Sequence, residues 1–118
     1  KEFRFESAHY LPLVPDHHPC KRLHGHSYAV VIEVGSEHLK NGFVIDFAEI
    51  NNLIKPVIEE LDHQLLNDFV ENPTVENICS YIAEKFSRNA QTQKQDVRLL
   101  AVEVSETAKT SSIFWPKD

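Results

Sequence analysis

From His24 to Gly35 the chain reads His-Gly-His-Ser-Tyr-Ala-Val-Val-Ile-Glu-Val-Gly, the pattern of one long β-strand. Side chains in a strand alternate between faces, so His24 and His26 share a face on either side of Gly25, and Tyr28, Val30 and Ile32 continue it. Ala29 and Val31 make the opposite face partly apolar as well. Such a strand is covered on both faces, one by the core of its sheet and the other by a partner or a pocket.

The rest of the chain is read around that strand. Phe3 and Phe5 alternate with Arg4 and Glu6, which predicts a first strand over 2–8. Pro12, Pro15 and Pro19 exclude a strand interior from the residues between, because proline lacks the donor a ladder needs. Asn41-Gly42 predicts a turn and 43–45 a short strand. Phe47, Ile50, Leu53, Ile54, Val57, Ile58 and Leu61 recur with helical period and predict a helix over 46–61. Asp46 and Glu49 form a capping box at its start, and Pro56 bends it or leaves a bond unmade. A second helix opens at Pro73-Thr74-Val75-Glu76, with Thr74 as N-cap and Val75, Ile78, Cys79, Ile82, Ala83 and Phe86 as its apolar stripe. Residues 87–96 read as a polar connection and 97–105 as a strand in which Leu100, Val102 and Val104 share parity with Glu106. A shorter strand over 111–115 ends the pattern.

The order strand-strand-helix-helix-strand-strand predicts an α+β layer, a four-stranded antiparallel sheet with two helices on one face, in a single domain over 1–118. A sheet this small has exposed edges, which points to assembly with copies of itself. Lys and Arg number 12 against 18 Asp and Glu, a formal charge of −6, and the most basic stretch holds only Lys85, Arg88 and Lys94. Nucleic acid is therefore not the expected partner. No run approaches the length of a membrane span, and the opening residues do not read as a secretory signal. Two cysteines, Cys20 and Cys79, are too few for a disulfide scaffold and are expected as reduced thiols in a cytoplasmic protein. Cys79 falls on the stripe of the second helix and reads as a small buried hydrophobe.

The chemistry concentrates near the first loop, since five of the seven histidines lie between His9 and His26. Imidazole is the commonest metal ligand, and a catalytic zinc site takes three protein ligands with one position open. His24 and His26 supply two, and His9 at the end of the first strand is the candidate third. His17, His18 and His38 read as surface groups. Cys20 has two readings, a fourth soft ligand or a reactive thiolate beside the metal, its acidity raised by Lys21 and Arg22. Asp62-His63 at the end of the first helix reads as an aspartate-oriented histidine or as a histidine interacting with the helix dipole. Glu106 ends an apolar strand, either as a carboxylate that recognises an amidine-like heterocycle edge or as a strand-end group in solvent.

Six segments in order resemble the 6-pyruvoyltetrahydropterin synthase family. They are Phe5-Glu6-Ser7-Ala8-His9, Cys20-Lys21-Arg22-Leu23-His24-Gly25-His26, Val44-Ile45-Asp46-Phe47, Leu61-Asp62-His63, Asn72-Pro73-Thr74-Val75-Glu76-Asn77 and Glu106-Thr107. Within the family the resemblance is to the bacterial 6-carboxytetrahydropterin synthase branch. Val75 follows Thr74 where the pyruvoyl enzymes tend to carry a second hydroxyl residue. The resemblance implies the tunnelling fold, assembled as trimers or dimers of trimers with active sites between subunits. It implies zinc on His9, His24 and His26, Cys20 as catalytic base, and Asp62 with His63 as a proton relay. It implies Glu106 as the anchor of the pterin's amino-pyrimidine edge, with Thr74 and Glu76 assisting. The implied reaction converts 7,8-dihydroneopterin triphosphate to 6-carboxytetrahydropterin, acetaldehyde and triphosphate. The sister reaction stops at the 6-pyruvoyl product, and a zinc-binding protein of the same fold without catalysis is the remaining alternative.

Overall fold

The computed structural model describes residues 1–117. Its elements run β1 (Glu2–His9), β2 (His24–Gly35), α1 (Phe47–Leu61), α2 (Val75–Thr92), β3 (Arg98–Thr107) and β4 (Thr110–Phe114), with short 3-10 turns at Pro19–Lys21 and Leu66–Asp68. All strand pairs are antiparallel in the spatial order β1-β2-β3-β4. The α+β arrangement is the one the hydrophobic periods predict.

The core lies between the sheet and the two helices. Phe5, Tyr28, Val30, Ile32, Val102 and Val104 are buried from the sheet side. Ile50, Leu53, Ile54, Val57, Ile58 and Leu61 meet them from α1, and Ile78, Cys79, Ile82, Ala83, Phe86 and Ala90 from α2. Each fully buried Leu or Ile contributes roughly 1.5–3 kcal/mol, so the six apolar residues of α1 outweigh the ~3 kcal/mol cost of a proline inside a helix. Pro56 also cannot donate to the Asn52 carbonyl one turn back. Gln93 Nε2 at the C-cap of α2 donates to that oxygen at 3.4 Å, and Asn89 Nδ2 on α2 donates to the Leu53 carbonyl at 2.9 Å. The neighbouring helix thus supplies donors where the proline removes one.

Several boundaries differ from the sequence reading. Residues 43–45 form no strand. Lys40 and Phe43 exchange two backbone hydrogen bonds across Asn41 and Gly42, both at positive φ, and the pairing stops there. Asp46 caps α1 by accepting from the Ala48 amide at 2.8 Å, while no hydrogen bond returns from the Glu49 side chain among the described residues, so the capping box is half formed. The expected polar connection after residue 87 is helical to Thr92, because Ala90 is buried on the helix face and Arg88 pairs with Glu84 at 2.6 Å. In β3 a register shift opposite Glu33 and Val34 breaks the parity, so Leu99 and Ala101 are buried while Leu100 is exposed. β3 itself continues through Glu106 to Thr107.

The helices cover only one face of the sheet. On the other, Val31, Leu100 and Ile113 are at least one-third exposed in the isolated chain. The second covering that the sequence predicts for β2 is not supplied by this chain.

Candidate metal centre

β1 and β2 pair with His9 directly opposite His24. His26 lies two residues further along β2, on the same face, so the three imidazoles converge where the core meets the end of the sheet. Ring centroids are 4.5 Å apart for His9 and His24, 5.2 Å for His9 and His26, and 5.0 Å for His24 and His26. One ligand atom from each ring lies within 4.8 Å of the others.

Hydrogen bonding fixes the state of two of these rings. His9 Nδ1 lies 2.8 Å from the Pro73 carbonyl and His24 Nδ1 lies 2.7 Å from the Arg22 carbonyl. A carbonyl oxygen can only accept, so each Nδ1 carries the proton and each neutral ring presents a lone pair at Nε2. Those two Nε2 atoms are 3.0 Å apart. Two lone pairs at that distance repel unless a proton or a cation lies between them. In a tetrahedral zinc site with bonds near 2.1 Å, donor atoms stand about 3.4 Å apart. The donor set and its spacing therefore fit a divalent metal. His9 is 1% exposed, and its burial holds the imidazole pKa below the ordinary value, which keeps the ring in the neutral form that a metal requires.

The wall behind the histidines comes from β2 and β3. Tyr28 packs edge-on against His9 and His26, at 5.9 and 5.5 Å between centroids, and stacks on Phe5 at 4.8 Å. Burial first, and the Glu106 charge second, push its phenol pKa upward. Glu106 sits at a bulge, since Ser105 pairs with Ser111 and Thr107 with Thr110, leaving Glu106 unmatched. Its carboxylate oxygens lie 3.9 Å from His9 Nε2 and 4.0 Å from His26 Nε2. The carboxylate thus faces the imidazoles, with its side chain 24% exposed.

Among the described residues, the other predicted ones make no hydrogen bond or ion pair to the triad and are not members of its cluster. Cys20 is in the Pro19–Lys21 turn, its amide donating to His18 Nδ1 at 3.0 Å and its carbonyl accepting from Leu11 at 2.8 Å. It is not a member of the three-histidine cluster. Asp62 caps the C-terminus of α1, accepts from the Glu6 amide at 2.8 Å, and faces His63 Nδ1 at 2.9 Å. The Glu6 amide, with His63 second, holds the Asp62 carboxyl below its ordinary pKa. His63 has φ of 57°, a left-handed conformation that costs a non-glycine residue of order 1–3 kcal/mol, and its amide donates to the Glu6 carbonyl at 2.6 Å. Among the described residues no hydrogen bond or ion pair joins Asp62 or His63 to the three histidines. Thr74 is the N-cap of α2, its hydroxyl accepting from the Asn77 amide at 3.2 Å, and Glu76 is exposed in the first turn.

The sequence reading missed the supports. Ser7 is a buried polar residue whose hydroxyl donates to the Leu61 carbonyl, and Ala8 donates to the Gln64 carbonyl at 3.0 Å. Together with the Glu6 bonds they lash residues 61–64 to the edge of β1. The signal was the polar Ser7 at the parity of Phe5 and His9, an inward position where strands ordinarily carry apolar groups. The sequence shows Pro73 only as part of a helix start and offers no sign that its carbonyl holds His9.

Over 99% of its length the chain superposes on 93% of Caenorhabditis elegans 6-pyruvoyl tetrahydropterin synthase, with a TM-score of 0.83 and 24% identity, a likeness of fold. The fold and the converging imidazoles define a tunnelling-fold protein with a three-histidine metal-binding cluster. A family model described as 6-pyruvoyl tetrahydropterin synthase matches residues 1–117, and the chain belongs to that family. Relatives include 6-carboxy-5,6,7,8-tetrahydropterin synthase of Synechocystis, 37% identical over 125 residues that cover 98% of this chain and 90% of the relative. A putative 6-carboxy-5,6,7,8-tetrahydropterin synthase of Archaeoglobus fulgidus is 39% identical over 85 residues, 69% of this chain and 71% of the relative. Dihydroneopterin monophosphate aldolase of Pyrococcus furiosus is 35% identical over 85 residues, 72% of this chain and 70% of the relative. No helix among the described residues is long and apolar enough to cross a membrane.

Proposed function

We propose that the chain is a zinc-dependent pterin-processing lyase acting on the side chain of 7,8-dihydroneopterin triphosphate. The observation that carries this reading is the pair of Nε2 lone pairs on His9 and His24, 3.0 Å apart with both Nδ1 protons committed to carbonyls, in a member of a pterin-synthase family. His9, His24 and His26 would hold the ion, which when bound supplies a Lewis acid that acidifies the substrate's side-chain hydroxyls. Cys20, as thiolate, takes a proton from a side-chain carbon. His63, with Nδ1 held by Asp62, exchanges protons through Nε2. Returning the proton at the neighbouring carbon completes a tautomerisation. A second proton then leaves the carbon next to the one that bears triphosphate, its electron pair forms a carbon–carbon double bond, and triphosphate leaves with the electron pair of its carbon–oxygen bond. Glu106 accepts two parallel hydrogen bonds from the amino-pyrimidine edge, with Thr74 and Glu76 assisting.

Elimination that stops at the 6-pyruvoyl product has the support of the family description over residues 1–117. The names of the Synechocystis and Archaeoglobus relatives favour a second reading, in which the product is 6-carboxytetrahydropterin. On that reading the terminal two carbons also leave as acetaldehyde and the product serves deazaguanine and queuosine synthesis. A product assay on zinc-loaded protein separates them. Triphosphate without acetaldehyde supports the first, both together support the second, and release of neither sinks the proposal.

The same reading assembles the complete site between copies, in a trimer or a dimer of trimers. It is supported by the sheet face left open in one chain, and by the lack, among the described residues, of any hydrogen bond or ion pair from Cys20, Asp62 or His63 to the triad. Both cysteines are free, in keeping with a reducing cytoplasm.

A further inference from the structure

The segment Asn72 to Asn77 carries more hydrogen bonding than a helix start requires. Thr74 caps α2, and the Asn77 amide N–H donates to its hydroxyl. The Thr74 amide donates to the Asn72 carbonyl at 2.8 Å, and Asn77 Nδ2 donates to the same carbonyl at 2.8 Å. Between these anchors stands Pro73, whose ring fixes φ near −65° and whose carbonyl accepts from His9 Nδ1 at 2.8 Å. In the common capping box the third helical residue is Glu or Gln, reaching back to accept from the cap amide. Asn77 occupies that position and does the opposite, donating to a carbonyl beyond the cap.

We propose that Asn77 is a positioning residue for the metal centre, holding the Asn72–Pro73–Thr74 turn so that the Pro73 carbonyl fixes the tautomer and ring plane of His9. The inference rests on the reading of the three histidines as a metal site. Its chemical requirement is a side-chain donor. Aspartate has the same shape and, in the first turn, a charge that favours the helix dipole, so it suits a helix start at least as well. It cannot donate, and it would set a carboxylate against the Asn72 carbonyl. A residue that serves only the helix tolerates Asn77→Asp; a residue that positions His9 does not.

The experiment compares wild type, Asn77→Asp, Asn77→Ala and Ser80→Ala in Co²⁺ titrations, reading affinity and the visible d–d spectrum, with thermal unfolding of each metal-free protein alongside. Ser80 is the control, since among the described residues its hydroxyl bonds only to the Glu76 carbonyl within the helix. The expected result is affinity about 10–100-fold weaker, with an altered spectrum, in both Asn77 variants, the range seen when supports of metal-ligating histidines are removed, and wild-type behaviour in Ser80→Ala. Asn77→Ala removes the donor without adding charge, so it answers if Asn77→Asp fails to fold. Wild-type affinity and spectrum in a folded Asn77 variant overturn the inference while leaving the metal site standing. A wild-type protein that binds no Co²⁺ overturns the metal site, and the inference with it.

Discussion

His9 Nε2 faces His24 Nε2 at 3.0 Å, while the opposite nitrogen of each ring donates to a backbone carbonyl. This is a metal-ready pair whose repulsion a cation relieves. Chelation is therefore expected to lower the melting temperature and zinc to restore it, by an amount that follows ligand concentration. At a hundredfold excess over the dissociation constant the stabilisation is about 2.7 kcal/mol. Differential scanning fluorimetry across a zinc series checks this, and a melting temperature indifferent to both treatments would count against the site.

The three histidines differ in what else they do. His9 is buried at 1% exposure, whereas His24 and His26 are only partly buried. Substituting any of them by Ala is expected to abolish stoichiometric zinc, measured by elemental analysis. Only His9→Ala should also destabilise the metal-free protein markedly, by about 1–3 kcal/mol in urea unfolding, because it leaves a void and the Pro73 carbonyl without its donor.

The two thiols should separate in reactivity. Cys79 is fully buried, its Sγ donating to the Ser112 carbonyl at 3.3 Å, and burial pushes its pKa up to about 11. Iodoacetamide at neutral pH is expected to label Cys20 and spare Cys79 in the folded protein, read by peptide mass spectrometry. Cys20→Ala should retain zinc and lose turnover. Full turnover would remove it from the mechanism, and lost zinc would make it a ligand.

Asp62 gives a pH signature. Its carboxyl pKa is lowered in the folded chain, chiefly by the Glu6 amide. The carboxylate form thus stabilises the fold above the unfolded pKa, near 3.9, and that contribution fades as pH falls through the lower folded value. Asp62→Asn should lower stability at neutral pH and leave a smaller difference from wild type in strong acid. Urea unfolding over a pH series tests the sign; a gap that widens in acid contradicts it.

The proposed sharing of the site between copies predicts complementation. Cys20→Ala and His63→Ala proteins, each inactive, are expected to recover part of the turnover when unfolded together and reassembled. No recovery, in mixtures shown by mass spectrometry to contain both subunits, would place both residues in one chain's contribution.

What the sequence determined by itself was whatever depends on local period. Alternation set β1 and β2 and put His24, His26 and Tyr28 on one face, and the 3.6-residue recurrence found α1 and the start of α2. Terminal polar turns of α2 escaped because exposed helix and polar loop share a composition, and Leu100 escaped because a register shift is invisible to parity.

Only the tertiary structure decided how the histidines are held. His9 meets its acceptor at Pro73, 64 residues away, and its partner His24 across a strand pair. Glu106 faces both His9 and His26 from an unmatched position in β3, and Asp62 is tied to Glu6 rather than to the triad. Residue identity can nominate a ligand, but its tautomer, its orientation and the space between lone pairs come from groups that folding alone brings into reach.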